Sequence, residues 1–479
     1  MTVDAAPDSE PTGASTSATA SVPTRTQAQG TESGTPATAL KPNVVATEPA
    51  GAAMPRAGDP QPTGLVWTPG AQIFLRAEGR INPDFDAAAN TPPDVAQVLE
   101  RARLQLGATW GVVGGFVQLQ DARNWGFEGT TSSNEANTDL HQGWMEIAGA
   151  IPRRKLSGSI RAGRQEIDWG SQRMIGSFLW APIARSFDAL RLQGTAGRWR
   201  ADAFVAMLAP PGTFTVGEPP KSVQTRGEQL AAGLVSFAAH DAFNIEAMVM
   251  ADIAAASMAA PTRDRRVYDF GGRLWGSPLG GLRYEAEGHG QAGRNEGLNH
   301  RAWAWAANLS YTRESKRVKP GGKIGYAMAS GSRCTGSSAA GVANCGAATS
   351  SDFFNFYPTN HIHYGLVDLL GWRNMRDLEV SGSLAVDWFS ASLGYHFFQL
   401  NEASGRWRDA AGGQVGSGWD TTNTDRTLGH EFDVVATLKP WKPLMVQPGY
   451  GVFLPRKAGR TLGGESPQHF VYLWLVTTF

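Results

Sequence analysis

The chain has 479 residues, with 43 Lys+Arg against 43 Asp+Glu, a formal net charge of zero and only 18% charged residues. Such a balance offers no global attraction to nucleic acid, which excludes a nucleic-acid partner as the main role. The 57 Gly, 28 Pro and 16 Trp suit many short strands joined by turns better than a set of ordinary soluble domains.

Residues 1–64 are mostly Ala, Pro, Ser, Thr and Gly. With almost no large apolar side chain to bury, they are expected to form a disordered extension. They also lack the basic start and apolar stretch of a secretory signal, so export would require a signal already removed or a start upstream. From residue 65 to Phe479 the sequence reads as strand-like segments of about ten residues, the length that crosses a bilayer when tilted. No run is apolar and long enough for a membrane helix; the most apolar stretch, Ala247–Ala260, is interrupted by Asp252.

Ile160 to Gly176 holds Arg164, Glu166, Asp168 and Arg173, the first three at one parity. Arg185 and Arg191 then bracket Phe187-Asp188. In a barrel wall such charged rows are expected to face the lumen, because charge on the lipid face is costly. Leu282-Arg-Tyr-Glu-Ala-Glu-Gly-His289 places Arg283, Glu285, Glu287 and His289 on one face, and Trp303, Trp305, Ala307, Leu309 and Tyr311 form an apolar row. Cys334 and Cys345 enclose a Gly/Ser/Ala-rich loop too polar to bury free thiols. A local disulfide in an oxidising compartment is the better reading than a metal site. Phe353 to Asp368 contains Tyr357-Pro-Thr-Asn-His361 and ends on Asp368, and is expected to form an ordered segment where the chain plugs the barrel. His361 and His363 lack an evident third ligand, so hydrogen bonding is expected of them and no metal or cofactor. Phe432, Val434, Ala436 and Leu438 alternate with Glu431, Asp433 and Thr437. The chain closes on Val471, Leu473, Leu475, Thr477 and Phe479 at one parity.

Connections alternate roughly between short (Thr195–Arg198, Ala239–Ala242, Ser277–Gly281, Pro440–Pro443) and long (Asn124–Leu140, Pro210–Arg226, Gly331–Ser351, Ser404–Thr427). This is the pattern of tight periplasmic turns and longer outer loops. The fold class expected is all-β, a transmembrane antiparallel β-barrel of about 18 strands behind a disordered N-terminal extension. A soluble sandwich would alternate in the same way, whereas the lack of a repeat of about 40–50 residues speaks against a propeller. The tryptophans, several near strand ends, fit a membrane girdle. No nucleophile elbow or assignable triad is present, so no enzymatic activity is expected.

The segments Gly163-Arg-Gln-Glu166…Gly170…Arg173, Arg185-Ser-Phe-Asp-Ala-Leu-Arg191 and Tyr357-Pro-Thr-Asn-His361…Gly365…Asp368, in that order and together with the closing strand, resemble the alginate export family of outer-membrane β-barrels. The resemblance implies a monomer in the bacterial outer membrane that passes an anionic polysaccharide outward through a charged lumen, with loops that plug or gate it. It implies outer-membrane lipid and periplasmic export machinery as partners. Arg164, Glu166, Asp168, Arg173, Arg185, Asp188, Arg191, Arg283 and Glu285 are then the expected pathway residues, and Tyr357, His361 and Asp368 the ordered plug motif. For each charged residue, a structural ion pair within the wall is an equal alternative. A porin for small anions on the same barrel, or a non-conducting scaffold, are the competing functions.

Overall fold

The computed structural model describes residues 64–83, 85, 94–125, 138–209, 227–254, 265–315, 317–336 and 345–479; the expected disordered extension lies, but for Gly64, outside the described residues. Eighteen strands follow one another in chain order: β1 (Val66–Ile81), β2 (Asp94–Trp110), β3 (Val113–Asn124), β4 (Thr138–Ile151), β5 (Leu156–Gln165), β6 (Phe187–Ala196), β7 (Trp199–Ala209), β8 (Glu228–His240) and β9 (Phe243–Ala254). The second half comprises β10 (Arg265–Leu279), β11 (Leu282–Asn295), β12 (Leu298–Thr312), β13 (Lys319–Ala329), β14 (Met375–Val386), β15 (Phe389–Leu400), β16 (Thr427–Trp441), β17 (Leu444–Pro455) and β18 (Gln468–Thr478).

Each strand pairs antiparallel with its sequence neighbours, and β1 pairs with β18 from Gln72↔Thr478 to Ile81↔His469, so the sheet closes on itself. Closure leaves no edge strand with unpaired backbone groups, a condition for spanning a bilayer with strands. Both termini of the sheet lie at the end that carries the short turns, such as 197–198, 241–242 and 442–443, which by the rule for these barrels is the periplasmic end.

Burial is inverted relative to a soluble protein. Leu104, Leu106, Val117, Leu119, Met145, Ile147, Leu190, Leu192, Leu393 and Leu473 are exposed on the outer surface. Their strand neighbours Arg103, Gln118, Gln120, Glu146, Arg191, Ser392 and Tyr472 are buried inside. The period of two assigns one face to lipid and the other to the lumen. A charge at mid-strand on the outer row is therefore expected to be costly. Leu473→Arg, at the centre of the closing strand, should destabilise the barrel by about 2–4 kcal/mol in urea unfolding from vesicles, and an unchanged midpoint would mean that this face does not meet lipid.

The tryptophans divide between two roles. Trp67, Trp110, Trp199, Trp388 and Trp441 are exposed at turn-side strand ends, as a girdle requires, but Trp169, Trp180, Trp372, Trp407 and Trp474 are buried in the interior. The interior is occupied because connections at the loop end, namely 166–186, the described parts 330–336 and 345–374 of the β13–β14 connection, and 401–426, fold back into the barrel. Ile175 forms a parallel bridge with Tyr357. The backbone bonds Tyr357 N→Met174 O (2.8 Å), Gly176 N→Tyr357 O (2.8 Å) and Thr359 N→Gln172 O (2.9 Å) clasp the first two segments together. The third joins through Ala410 N→Asp368 O (3.0 Å) and Trp407 Nε1→Leu369 O (2.8 Å). Gly176 permits the close approach: a Cβ there would stand 2.3 Å from Thr359 Oγ1.

Candidate transport pathway

The plug is tied to the wall by polar contacts, most of them on the loop-side halves of the strands. Arg76 on β1 donates to Trp180 O at 2.6 Å, and Gln120 on β3 donates to Ile183 O at 2.9 Å. Tyr357 Oη donates to Asp252 on β9 at 2.7 Å, and Gln291 on β11 both donates to Phe354 O and accepts from Phe354 N, each at 2.8 Å. Val367 N donates to Glu431 on β16 at 2.9 Å while Arg80 donates to Val367 O at 3.0 Å. Gly365 (φ +82°) allows this approach, since a Cβ there would lie 2.2 Å from the Glu431 carboxylate.

The expected plug motif is brought together. His361 Nδ1 lies 2.8 Å from Asp368 Oδ1, and its ring stacks on Trp180 with centroids 3.9 Å apart. Asp368 holds a left-handed φ of +65°, a conformation that Asp tolerates better than most side chains. His363 Nε2 lies 2.8 Å from Ser171 O. Both histidines thus serve hydrogen bonds. Cys334 and Cys345 form a disulfide, with a Cα–Cα distance of 5.1 Å, and pack with Trp419, whose Nε1 donates to Gly336 O. Contrary to the exposed loop expected, the bridge itself is buried.

The expected pathway residues separate into four environments. Arg191 on β6 faces the interior but is held by Asp202, with Nε–Oδ1 of 2.9 Å and Nη2–Oδ2 of 2.5 Å. Arg283 and Glu285 on β11 share the lumen row with Glu287 and His289. Glu166, Asp168, Arg173 and Arg185 belong to the plug. Glu166 Oε1 lies 2.8 Å from His141 Nε2, which Arg103 Nη2 also meets at 2.8 Å, and Arg103 Nη1 lies 3.8 Å from the carboxylate. Burial pushes the Glu166 carboxyl above its ordinary range, against the pull of Arg103, and Asp168 adds to the rise. Asp168 accepts from Ser177 Oγ at 3.0 Å, and Arg173 stands 3.5 Å from Glu285. Arg185 donates to Pro358 O at 2.9 Å and Gly176 O at 3.1 Å; burial lowers its guanidinium, partly offset by Tyr357 and Asp168.

Arg164 and Asp188 form the fourth group and correct the expectation. They share the outward row with Ile160, Ala162, Leu190 and Leu192 and pair with each other at 3.3 Å on the outer surface at the loop end. A lipid-face charge is tolerated there because its cost falls to about 0–1 kcal/mol near the interface. Strand β5 stops at Gln165, so Arg164, Glu166 and Asp168 do not form one row of a strand.

The lumen cations nearer the turn end escaped the sequence reading. Arg161 on β5 lies 3.0 Å from Glu146 and stacks over Trp144. Arg200 on β7, its side chain 37% exposed, stands 3.8 Å from Asp202. Arg273 on β10 pairs with Glu246 and Glu285 at 3.2 Å each, and Lys323 on β13 with Glu379 at 2.6 Å. The signal for Arg161 was the polar row Ser157, Ser159, Arg161 between the apolar Ile160 and Ala162. Around the turn side of the barrel, cation and carboxylate thus alternate, each cation close to an acid; Arg200 is the most open to the lumen, Lys323 less so, and Arg161 and Arg273 are largely enclosed by their ion pairs. Such a lining offers forked donors to a passing carboxylate while a wall carboxylate competes to reclaim them. Among the described residues, no cluster of three or more His, Cys, Asp or Glu could hold a metal ion.

Comparison with known proteins agrees with this architecture. Residues 70–475 match the model of a family described as Alginate export. No curated protein matches the chain in sequence. Among solved structures, Pseudomonas aeruginosa OccK11 (OpdR) superposes with a TM-score of 0.52 at 10% identity, covering 86% of this chain and 96% of that one. Acinetobacter baumannii OccAB1 gives 0.54 at 10% identity over 90% and 100%, and Pseudomonas aeruginosa OccD3 (OpdP) 0.52 at 12% identity over 89% and 95%. At these identities the likeness is one of fold: the barrel of an outer-membrane porin.

Proposed function

The chain belongs to the alginate export family and is an outer-membrane channel; from that premise we propose that it carries an anionic polysaccharide outward, passively and without catalysis, across the bacterial outer membrane as a monomer served by periplasmic export machinery. The observation that carries this reading is the turn-side track of Arg161, Arg200, Arg273, Arg283 and Lys323, with carboxylates at 3.0–3.8 Å from Arg161 and Arg200. A polymer bearing one acid per sugar can exchange with the wall acids site by site, so binding stays favourable enough to enter and weak enough to leave. A second reading, passage of small acidic solutes, draws support from the filled outer half of the lumen, which narrows what can pass.

In a planar bilayer the channel is expected to conduct and to be blocked by an acidic oligosaccharide more strongly as the chain lengthens. Arg161→Gln with Arg200→Gln should weaken that block about tenfold, the effect of losing roughly 1.4 kcal/mol of charge-assisted contact. Block that does not depend on chain length would favour the small-solute reading, and a silent bilayer would sink both. Deletion in the native host should abolish secretion of the polysaccharide if transport runs outward.

A further inference from the structure

Among the described residues, the aromatic side chains on the inward rows of the strands, from Phe74 on β1 to Trp474 on β18, are buried, with one exception: Trp275 on β10 is partly exposed. It shares the parity of Asp269 and Arg273, so it faces the lumen and not the bilayer. The plug reaches down this wall as far as Arg273, since a Cβ on Gly170 would stand 3.0 Å from both Arg273 Nε and Glu246 Oε1. Trp275 is the next inward residue of β10 toward the turn end. Trp144 on β4 makes the contrast: Phe116 stacks on it at 5.4 Å and Arg161 at 3.8 Å, and it is buried.

One face of the indole is backed by Arg273, whose Cζ lies 4.1 Å from the ring centroid and whose guanidinium is fixed by Glu246 and Glu285 at 3.2 Å each. Because β10 runs from the loop end to the turn end, Arg273 stands on the loop side of the ring. On the turn side the next inward position is the small Ser277, whose Oγ is bonded to Leu282 O at 2.9 Å, and no described ring or cation stacks there. Register puts Asn244 of β9 and Glu285 of β11 directly opposite Trp275, one on each flank. Asn244 donates one N–H to Trp275 O at 3.3 Å, which leaves its carbonyl oxygen and a second N–H for another partner. The Glu285 side chain is 27% exposed. A rigid, flat apolar face between an amide and a carboxylate matches a pyranose ring, which has a C–H face and a rim of hydroxyls.

We infer that Trp275 is a sugar-binding platform in the turn-side lumen, holding one pyranose ring by its C–H face against the indole, with ring hydroxyls on Asn244 and Glu285. The inference rests on the polysaccharide reading above and adds a contact that recognises the ring and not its charge. The cation track would hold the carboxylate of any small acid, whereas the indole holds only a molecule with a broad C–H face. Arg273 and its two carboxylates keep the indole in place before a sugar arrives, which lowers the cost of ordering it. The platform stands on the periplasmic side of the plug, where an outgoing chain arrives first.

The test titrates the full-length protein, in a detergent without a sugar headgroup, with cellohexaose, a neutral hexasaccharide of pyranose rings. Saturation-transfer NMR with irradiation of the aromatic protons should show transfer to the axial C–H protons of the sugar. Trp275→Leu, which keeps an apolar side chain but removes the flat face, should lose most of that transfer and weaken binding about tenfold. Trp275→Phe should restore binding to within about threefold of the parent. If Trp275→Leu does not fold, as judged by heat-dependent gel migration, Asn244→Ala carries the test, with binding expected to weaken about threefold. Equal transfer in the parent and the folded variants, or none in the parent, would overturn the platform. Cellohexaose binding is read without any current, whereas the transport reading stands or falls by block with acidic oligosaccharide, so the two can fail separately.

Discussion

Replacing Trp180 by alanine is expected to raise single-channel conductance several-fold while leaving the barrel closed. Trp180 stacks on His361, lies under the Arg76 guanidinium at 3.6 Å, and makes edge contacts with Tyr472 (4.9 Å) and Trp474 (5.3 Å). It therefore joins the first two inward segments to the wall at one point. Truncating a buried tryptophan costs about 3–5 kcal/mol, and here most of that loss falls on the hold of the plug, because all the strand pairings remain. The Arg76 bond to Trp180 O survives, since it uses backbone, so the segment should loosen but stay attached. Bilayer recordings should show larger and noisier openings, and protease should cut within 166–186 or 353–372 faster than in the parent. Unchanged conductance with faster proteolysis would mean that the path does not run past Trp180.

Replacing Arg191 by methionine should cost about 3–5 kcal/mol of barrel stability, as expected when one partner of a buried ion pair is removed and the other is stranded. Arg191 and Asp202 are each 1% exposed at the side chain. After the change Asp202 keeps only Gln193 at 2.9 Å and the more distant, partly exposed Arg200. The double change Arg191→Met/Asp202→Leu removes both charges and should recover most of the loss. Urea unfolding in vesicles, followed by tryptophan fluorescence, reads both variants. The comparison separates two roles for lumen arginine: a wall tie loses stability when substituted, whereas a pathway group such as Arg200 loses substrate block with little change in stability. An Arg191→Met protein of parental stability would place Arg191 in the second class.

The barrel was legible in the sequence because its evidence is local and periodic. The opposed rows at Phe432–Leu438 and Val471–Phe479, and the turns around 197, 241 and 442, each need only a few neighbouring residues to be read. The site was legible only in part. A strand has two faces and a slip of one residue exchanges them. At Arg164 the charges continue past the strand end at Gln165, so the parity that joined Arg164 to Glu166 and Asp168 crossed from an outward row into the plug. Asp188 carries the same error from the other side, since its parity partners Leu190 and Leu192 marked it as outward. The buried tryptophans were illegible for another reason: Trp180 meets His361 and Trp474 across stretches of chain over which no period extends.

Those same distances bear on how the molecule is assembled. Trp180 touches residues of both the first and last strands, and β1 and β18 are the pair whose union closes the barrel. The most sequence-distant pairing in the molecule is therefore supported from within by a segment made midway through the chain. Bringing ends so far apart together carries the largest loop entropy of any pairing here, and non-local contacts form slowly. A central segment that binds β1 early would hold it in place for β18, so the plug would act as a mandrel on which the cylinder is finished. Refolding of the Trp180→Ala protein into vesicles should then be slower than that of the parent, with the delay confined to the last kinetic phase.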